Sequence, residues 1–203
     1  VQPGLEFGNA NVVIYDRAAA SELSASLAQL PGLAFEAHST DYQPVEALSA
    51  LVEDGFAILK VGPGLTFALR EALYGLDAIA AELVPDRGES LRSTMEQLML
   101  AEPRNWQGHY PGTPDEQRLQ RHFSYSDRIR YYWTHPTAAA AVDRLFEQLD
   151  GVAIPETLVS QHLGRLYPAV AAGRLPATPR ELCLAAVNLA LAPYRAATTG
   201  VSA

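Results

Sequence analysis

The 203-residue chain has one cysteine and one lysine, and positive charge is scarce throughout: 15 Lys and Arg stand against 23 Asp and Glu, a net charge of −8. The lone Cys183 excludes an internal disulfide and fits a reducing, cytoplasmic setting. It lies in an apolar helical stretch, where an inert core thiol is the ordinary outcome. The acidic balance argues against nucleic acid and against anionic lipid as partners. No apolar run is long enough to span a bilayer. A P-loop, a dinucleotide fingerprint, a Cys-x-x-Cys pair and a Ser-His-Asp order are all missing. What remains is 48% hydrophobic, enough for one substantial core.

The single lysine marks the most informative stretch. Phe35-Glu36-Ala37-His38 and Phe56-Ala57-Ile58-Leu59-Lys60 read as two short strands. Between them, residues 44–55 read as an amphipathic helix, opened by Pro44 and closed by Gly55. Strand, helix, strand is a βαβ unit with parallel neighbouring strands. Chemistry in parallel α/β architecture collects beyond the carboxyl ends of the strands. Glu36, His38, Asp41 and Lys60 fall there. Lys60 either pairs with Glu36 across the strand gap or faces an anionic substrate. The Gly62-Pro63-Gly64 turn that follows opens a long helix over residues 65–83, whose first N–H groups can receive a phosphate. A plain turn is the simpler reading of the same three residues.

Elsewhere the pattern is mostly helical. Asp16 can cap a helix over 17–30, stopped by Pro31-Gly32. A further helix over 90–100 is followed by a Pro/Gly/aromatic loop, 102–113, long enough to suggest a functional excursion. His109 and His122 lack metal-ligand spacing and read as surface or hydrogen-bonding histidines. In residues 124–133, arginines alternate with aromatics, so Arg128 either grips a phosphate bidentately or packs against tyrosines and Asp127. Helices are expected over 136–149 and from 155. A capping box at Thr178-Pro179-Arg180-Glu181 launches a last helix that Pro193 should kink or end.

Glu36-Ala37-His38-Ser39-Thr40-Asp41-Tyr42-Gln43 and Phe56 to Pro63 resemble the GatZ/KbaZ family, the Z-type subunit of class II tagatose-1,6-bisphosphate aldolase. Val1 to Phe7, Ser126 to Trp133 and Leu158 to Gln161 extend the resemblance over nearly the whole chain in order. It implies an α/β fold: the C-terminal part of a TIM-type (β/α)8 barrel over residues 1–133, with additional C-terminal helices over 134–203. A complete barrel usually needs roughly 250 residues, so the sequence reads as part of a longer protein.

The resemblance implies two functions. The first is a non-catalytic subunit that supports a catalytic aldolase partner, the family's usual assignment. The alternative is a D-tagatose 6-phosphate 4-epimerase. A kinase label also attached to the family has no nucleotide-binding motif to support it. The candidate catalytic set is Glu36, His38, Asp41 and Lys60, with Glu6 a further carboxylate of interest. A phosphorylated ketohexose would be held by Lys60, Gly62, Gly64 and Arg128. His38, with Glu36 and Asp41, offers N and O ligands to a divalent metal such as zinc. Strand alternation lets Glu36 and His38 face one way, while Asp41 must reach back from the loop.

Overall fold

The computed structural model describes residues 1–199. Two short sheets lie in its first third. Strands β1 (Glu6–Phe7) and β2 (Val12–Val13) form an antiparallel hairpin that the sequence reading missed, pairing Glu6 with Val13 and Phe7 with Val12. Strands β3 (Phe35–Ala37) and β4 (Phe56–Leu59) are parallel neighbours, as expected, joined by helix α2 (Val45–Glu53). An irregularity between Phe35 and Glu36 shifts the register, so Glu36 lies opposite Ile58 and Ala37 opposite Leu59. Along the other edge of β3, Val1 N donates to Glu36 O and His38 N donates to Val1 O. That two-way exchange is the parallel pattern. Three parallel segments therefore lie side by side.

The helix preceding β3 is shorter than expected. Helix α1 (Ser21–Ser26) gives way to a 3-10 turn at Leu27–Gln29. Ser21 and Ser26 hydroxyls donate to the carbonyls of Ala18 and Leu23, and such back-bonding weakens a helix. Asp16 does accept from Ala18 N at 2.8 Å, so it shapes the entry without capping a long helix.

From residue 63 the chain is helical: α3 (Pro63–Leu83), α4 (Leu91–Ala101), α5 (Pro114–Phe123), α6 (Pro136–Leu149), α7 (Glu156–His162), α8 (Tyr167–Ala171) and α9 (Pro179–Thr198). Two hydrophobic clusters form. Leu5, Phe35, Leu48, Leu51 and Phe56 pack around the parallel strands, whereas α3, α4, α6 and the first half of α9 share the larger cluster around Leu76, Met95, Leu145 and Leu182. Helix α9 enters both, through Leu182 and Ala197. Pro193 does not end it: beyond the proline, Tyr194 and Ala197 pack into the cluster that holds Leu48 and Leu51. Thr178 precedes Pro179 but makes no side-chain cap, so only the proline part of the expected signal is realised. The capping box that does form is Thr113 with Glu116, at the head of α5.

The aromatic loop 102–113 is not an excursion. Trp106 and Tyr110 are buried, and the Trp106 indole donates to Met99 O at 2.7 Å. Cys183 is buried too, and burial pushes its thiol up to about 12. No described helix is long and apolar enough to cross a membrane.

His122 is a buried link rather than a surface group. Its Nδ1 lies 2.6 Å from the Tyr74 hydroxyl and its Nε2 3.1 Å from Glu96. Burial lowers its pKa from 6.5 to about 4, with Glu96 opposing. Burial also works to raise Glu96, but Arg121 outweighs it and holds that carboxyl below its ordinary value. The folded state thus keeps His122 neutral where an unfolded chain would protonate it. Stability from this site is complete above pH 6.5 and falls as the pH drops toward 4, by about 3 kcal/mol at most. Protonation of Glu96 adds to the loss below pH 4.5. Urea titrations at a series of pH values should show this slope, and His122→Gln should flatten it between pH 6.5 and 4.

Candidate functional site

Alternation along β3 and the register with β4 put Glu36, His38, Ile58 and Lys60 on one face. Phe35, Ala37 and Phe56 go into the core behind it. At the rim of that face a single oxygen, Glu36 Oε1, lies 3.1 Å from Lys60 Nζ and 3.1 Å from His38 Nε2. All three side chains remain 40–50% exposed. The hydrogen bond from Lys60 is the largest cause of the lowered Glu36 pKa, and His38 adds to it. Pairs this open to water contribute little to stability, so the arrangement matters for its geometry. With Nε2–H donating to Glu36, the tautomer leaves His38 Nδ1 as a proton acceptor.

The segment beside β3 carries two more polar groups, Gln2 and Glu6. Gln2 Nε2 donates to Glu6 Oε2 at 2.8 Å and approaches Ser39 Oγ at 3.4 Å. Sequence reasoning noted Glu6 and passed over Gln2 and Ser39, because nothing in a glutamine or serine alone marks it. Ser39 is held at a φ of +58°, a conformation uncommon outside glycine.

The next four residues form a knot. Thr40 donates from Oγ1 to Lys60 O at 2.7 Å. Asp41 Oδ1 accepts from Gly62 N at 2.8 Å and Gly64 N at 2.7 Å. Tyr42, strained at a φ of +63°, donates to Tyr125 O at 2.6 Å and packs edge-on to Phe7 and Phe67. Gln43 accepts from Tyr15 N and donates to Val13 O. Each side chain ties the loop to a different part of the chain, and Thr40, Asp41 and Gln43 are buried.

This knot reassigns two expectations. The N–H groups of Gly62 and Gly64, expected to receive a substrate phosphate, already hold the chain's own carboxylate. Burial raises the Asp41 pKa while those two bonds and the Arg130 charge oppose the rise. Asp41 therefore organises the site from beneath and does not stand with Glu36 and His38. The expected metal ligands do not converge: among the described residues no three His, Cys, Asp or Glu group to hold a metal ion. The one Glu36 oxygen that faces His38 is also occupied by the Lys60 ammonium. The residues of this chain do not by themselves fit a metal.

Arg128 also lies apart. Its Nε donates to Asn105 O and its guanidinium stacks 5.2 Å from the Tyr131 ring, so it braces the loop before it. Asp127, left-handed at a φ of +45°, accepts from Arg70 Nε at 2.9 Å and from Thr66 Oγ1 at 2.6 Å. That buried pair anchors the start of α3. A cleft of about 500 Å³ opens between the loop, α3 and α9, lined by Tyr42, Phe67, Tyr125, Arg165 and Tyr194. Glu36, His38 and Lys60 are not in its walls; they stand on the open face.

A side chain at Gly64 would place its Cβ 2.9 Å from Asp41 Oδ1. Ala normally stabilises a helix position relative to Gly by about 1 kcal/mol. Here Gly64→Ala should instead destabilise, because the atom in the way is pinned by two hydrogen bonds. Urea unfolding that shows a gain in stability would contradict the pinned carboxylate.

A family model described as D-tagatose-1,6-bisphosphate aldolase subunit GatZ/KbaZ-like matches residues 1–199. A protein of Agrobacterium fabrum named D-tagatose 6-phosphate 4-epimerase is 61% identical over 199 residues, which are 98% of this chain and 46% of that protein. The crystal structure of a probable tagatose 6 phosphate kinase from Sinorhizobium meliloti 1021 superposes with a TM-score of 0.95 at 63% identity, covering 97% of this chain and 51% of that one. The chain spans about half the length of these relatives. With the match running through the strand-end residues Glu36, His38 and Lys60 and the knot beneath them, the chain belongs to the GatZ/KbaZ-like family.

Proposed function

We propose that the protein containing this chain is a D-tagatose 6-phosphate 4-epimerase. The observation that carries this reading is the 61% identity, over 98% of the chain, to a protein of that name. The Glu36–His38–Lys60 rim supplies chemistry that suits it. In this reading the three parallel segments are the last strands of a (β/α)8 barrel, residues 1–133 being barrel and 134 onward helical appendage. Residues 200–203 of that appendage lie outside the described part. Active sites of such barrels stand at the carboxyl ends of the strands. A phosphorylated substrate fits a cytoplasmic location.

The C4 hydroxyl of a 2-ketose is β to the carbonyl. Inversion can therefore proceed by breaking the C3–C4 bond and remaking it on the other face of the aldehyde. His38 Nδ1 takes the C4 hydroxyl proton as that bond breaks, giving a three-carbon enolate and glyceraldehyde 3-phosphate. The Lys60 ammonium stabilises the negative charge that develops on the C2 oxygen. Glu36 holds the imidazole tautomer and the ammonium in register. After the aldehyde turns over, the bond re-forms, His38 returns the proton, and the product is D-fructose 6-phosphate. No net oxidation occurs.

The family's description favours a second reading, a subunit that supports a class II tagatose-bisphosphate aldolase. The two readings concern the same C3–C4 bond. Incubating the purified full-length protein with D-tagatose 6-phosphate and measuring D-fructose 6-phosphate separates them. We expect turnover without a partner. Loss of one charge-assisted contact costs about 1.5–3 kcal/mol, so Lys60→Met should lower kcat/KM by about 10- to 150-fold. A silent protein that raises the activity or lifetime of an aldolase catalytic subunit would establish the subunit reading instead. Unchanged kcat/KM in the variant would remove Lys60 from the site.

A further inference from the structure

Tyr194 belongs to the last described helix, far in sequence from the strand ends. Its hydroxyl donates to Thr40 O at 2.7 Å and sits 3.4 Å from Thr40 Oγ1. Thr40 is fully buried and donates to Lys60 O from both its amide (3.3 Å) and its hydroxyl (2.7 Å). Lys60 N donates in turn to Ala37 O at 3.0 Å. One continuous chain of hydrogen bonds thus runs from α9 through Thr40 to the backbone of the residue that carries the ammonium. Thr40 is also two residues beyond His38, so both ends of the Glu36 cluster hang from it.

We propose that Tyr194 is a positioning residue for the rim: α9 latches the ends of β3 and β4 through Thr40 and so sets His38 and Lys60 against Glu36. The inference rests on the reading of that rim as the reacting site. Two features single out the latch. The backbone on either side of Thr40–Asp41 is held in left-handed conformations at Ser39 and Tyr42, which need external restraint to persist. The Tyr194 side chain is also rooted in the cluster beneath the strands, and burial raises its pKa to about 12, so it stays a hydrogen-bond donor at any working pH. Helix α9 spans both hydrophobic clusters, so the latch couples the helical part of the chain to the strand ends.

Tyr194→Phe keeps the ring and removes the donor. Tyr15→Phe is the control, since its hydroxyl bonds Asp54 at 2.7 Å at the base of the same cluster. In the full-length protein, amide exchange at Thr40 and Lys60 should quicken about tenfold or more in Tyr194→Phe and stay unchanged in Tyr15→Phe. Misplacement of reacting groups by a fraction of an ångström lowers turnover steeply. The kcat for D-tagatose 6-phosphate should therefore fall about tenfold or more in Tyr194→Phe with KM within about twofold, and stay at the parent value in Tyr15→Phe. Unchanged exchange overturns the latch whether or not the protein is active. Faster exchange with an unaltered kcat overturns the positioning role. If the parent protein does not turn over the sugar phosphate, the proposed activity fails by itself, and the exchange result alone then upholds or overturns the latch.

Discussion

A buried carboxylate against a helix N-terminus is the contact on which the rest of the strand-end architecture depends. Asp41 sits where the backbone N–H groups of Gly62 and Gly64 point outward, and the opening charge of α3 is answered from within the chain. The bond fixes more than one helix end. It draws the loop after β3 under the segment after β4, so the two strands must end at the same level. Glu36 and Lys60 then meet across the strand gap. Small residues are required where the carboxylate comes in, and Gly64 is one of them because a Cβ there would collide with Asp41.

Around that contact the loop is overdetermined. Thr40, Tyr42 and Gln43 bond to Lys60, Tyr125 and the Val13–Tyr15 segment. Left-handed backbone at a serine and a tyrosine within four residues is unfavourable by itself, on the order of 1–2 kcal/mol each. The ring contacts and hydrogen bonds of Tyr42 offset it. A rigid platform results, and the exposed groups above it are placed without much help from their own weak ion pairs.

The βαβ unit was legible because short apolar runs, a proline-led amphipathic segment and a glycine stop each signal locally. The parity argument that put Glu36 and His38 together was legible for the same reason. Asp41 was misplaced because a helix N-terminus attracts any anion, and sequence does not say whether a ligand or a side chain supplies it. Of the two readings of Arg128, the structure realises the packing one, against Tyr131, while the pairing with Asp127 falls to Arg70, because alternation of arginine and aromatics does not say which arginine turns which way. The length of the loop 102–113 suggested a functional excursion, yet its Trp106 and Tyr110 close the core instead. The Tyr194–Thr40 bond spans 154 residues and has no local signature at all.

Charge usage in the finished structure explains the single lysine. Arg121 grips Glu96 with two bonds, Arg17 bridges Glu53 and Asp54, Arg87 holds Asp77, and Arg70 is buried on Asp127. In the Arg121 and Arg17 pairs a planar fork with several fixed donors locks one element to another. At the rim such a fork would lock Glu36 in the same way and leave its charge committed. An ammonium is a compact point charge with rotatable donors, so Lys60 bonds Glu36 at a single oxygen while half of its side chain stays open to water. The chain therefore builds with guanidinium and reserves its one ammonium for the open face.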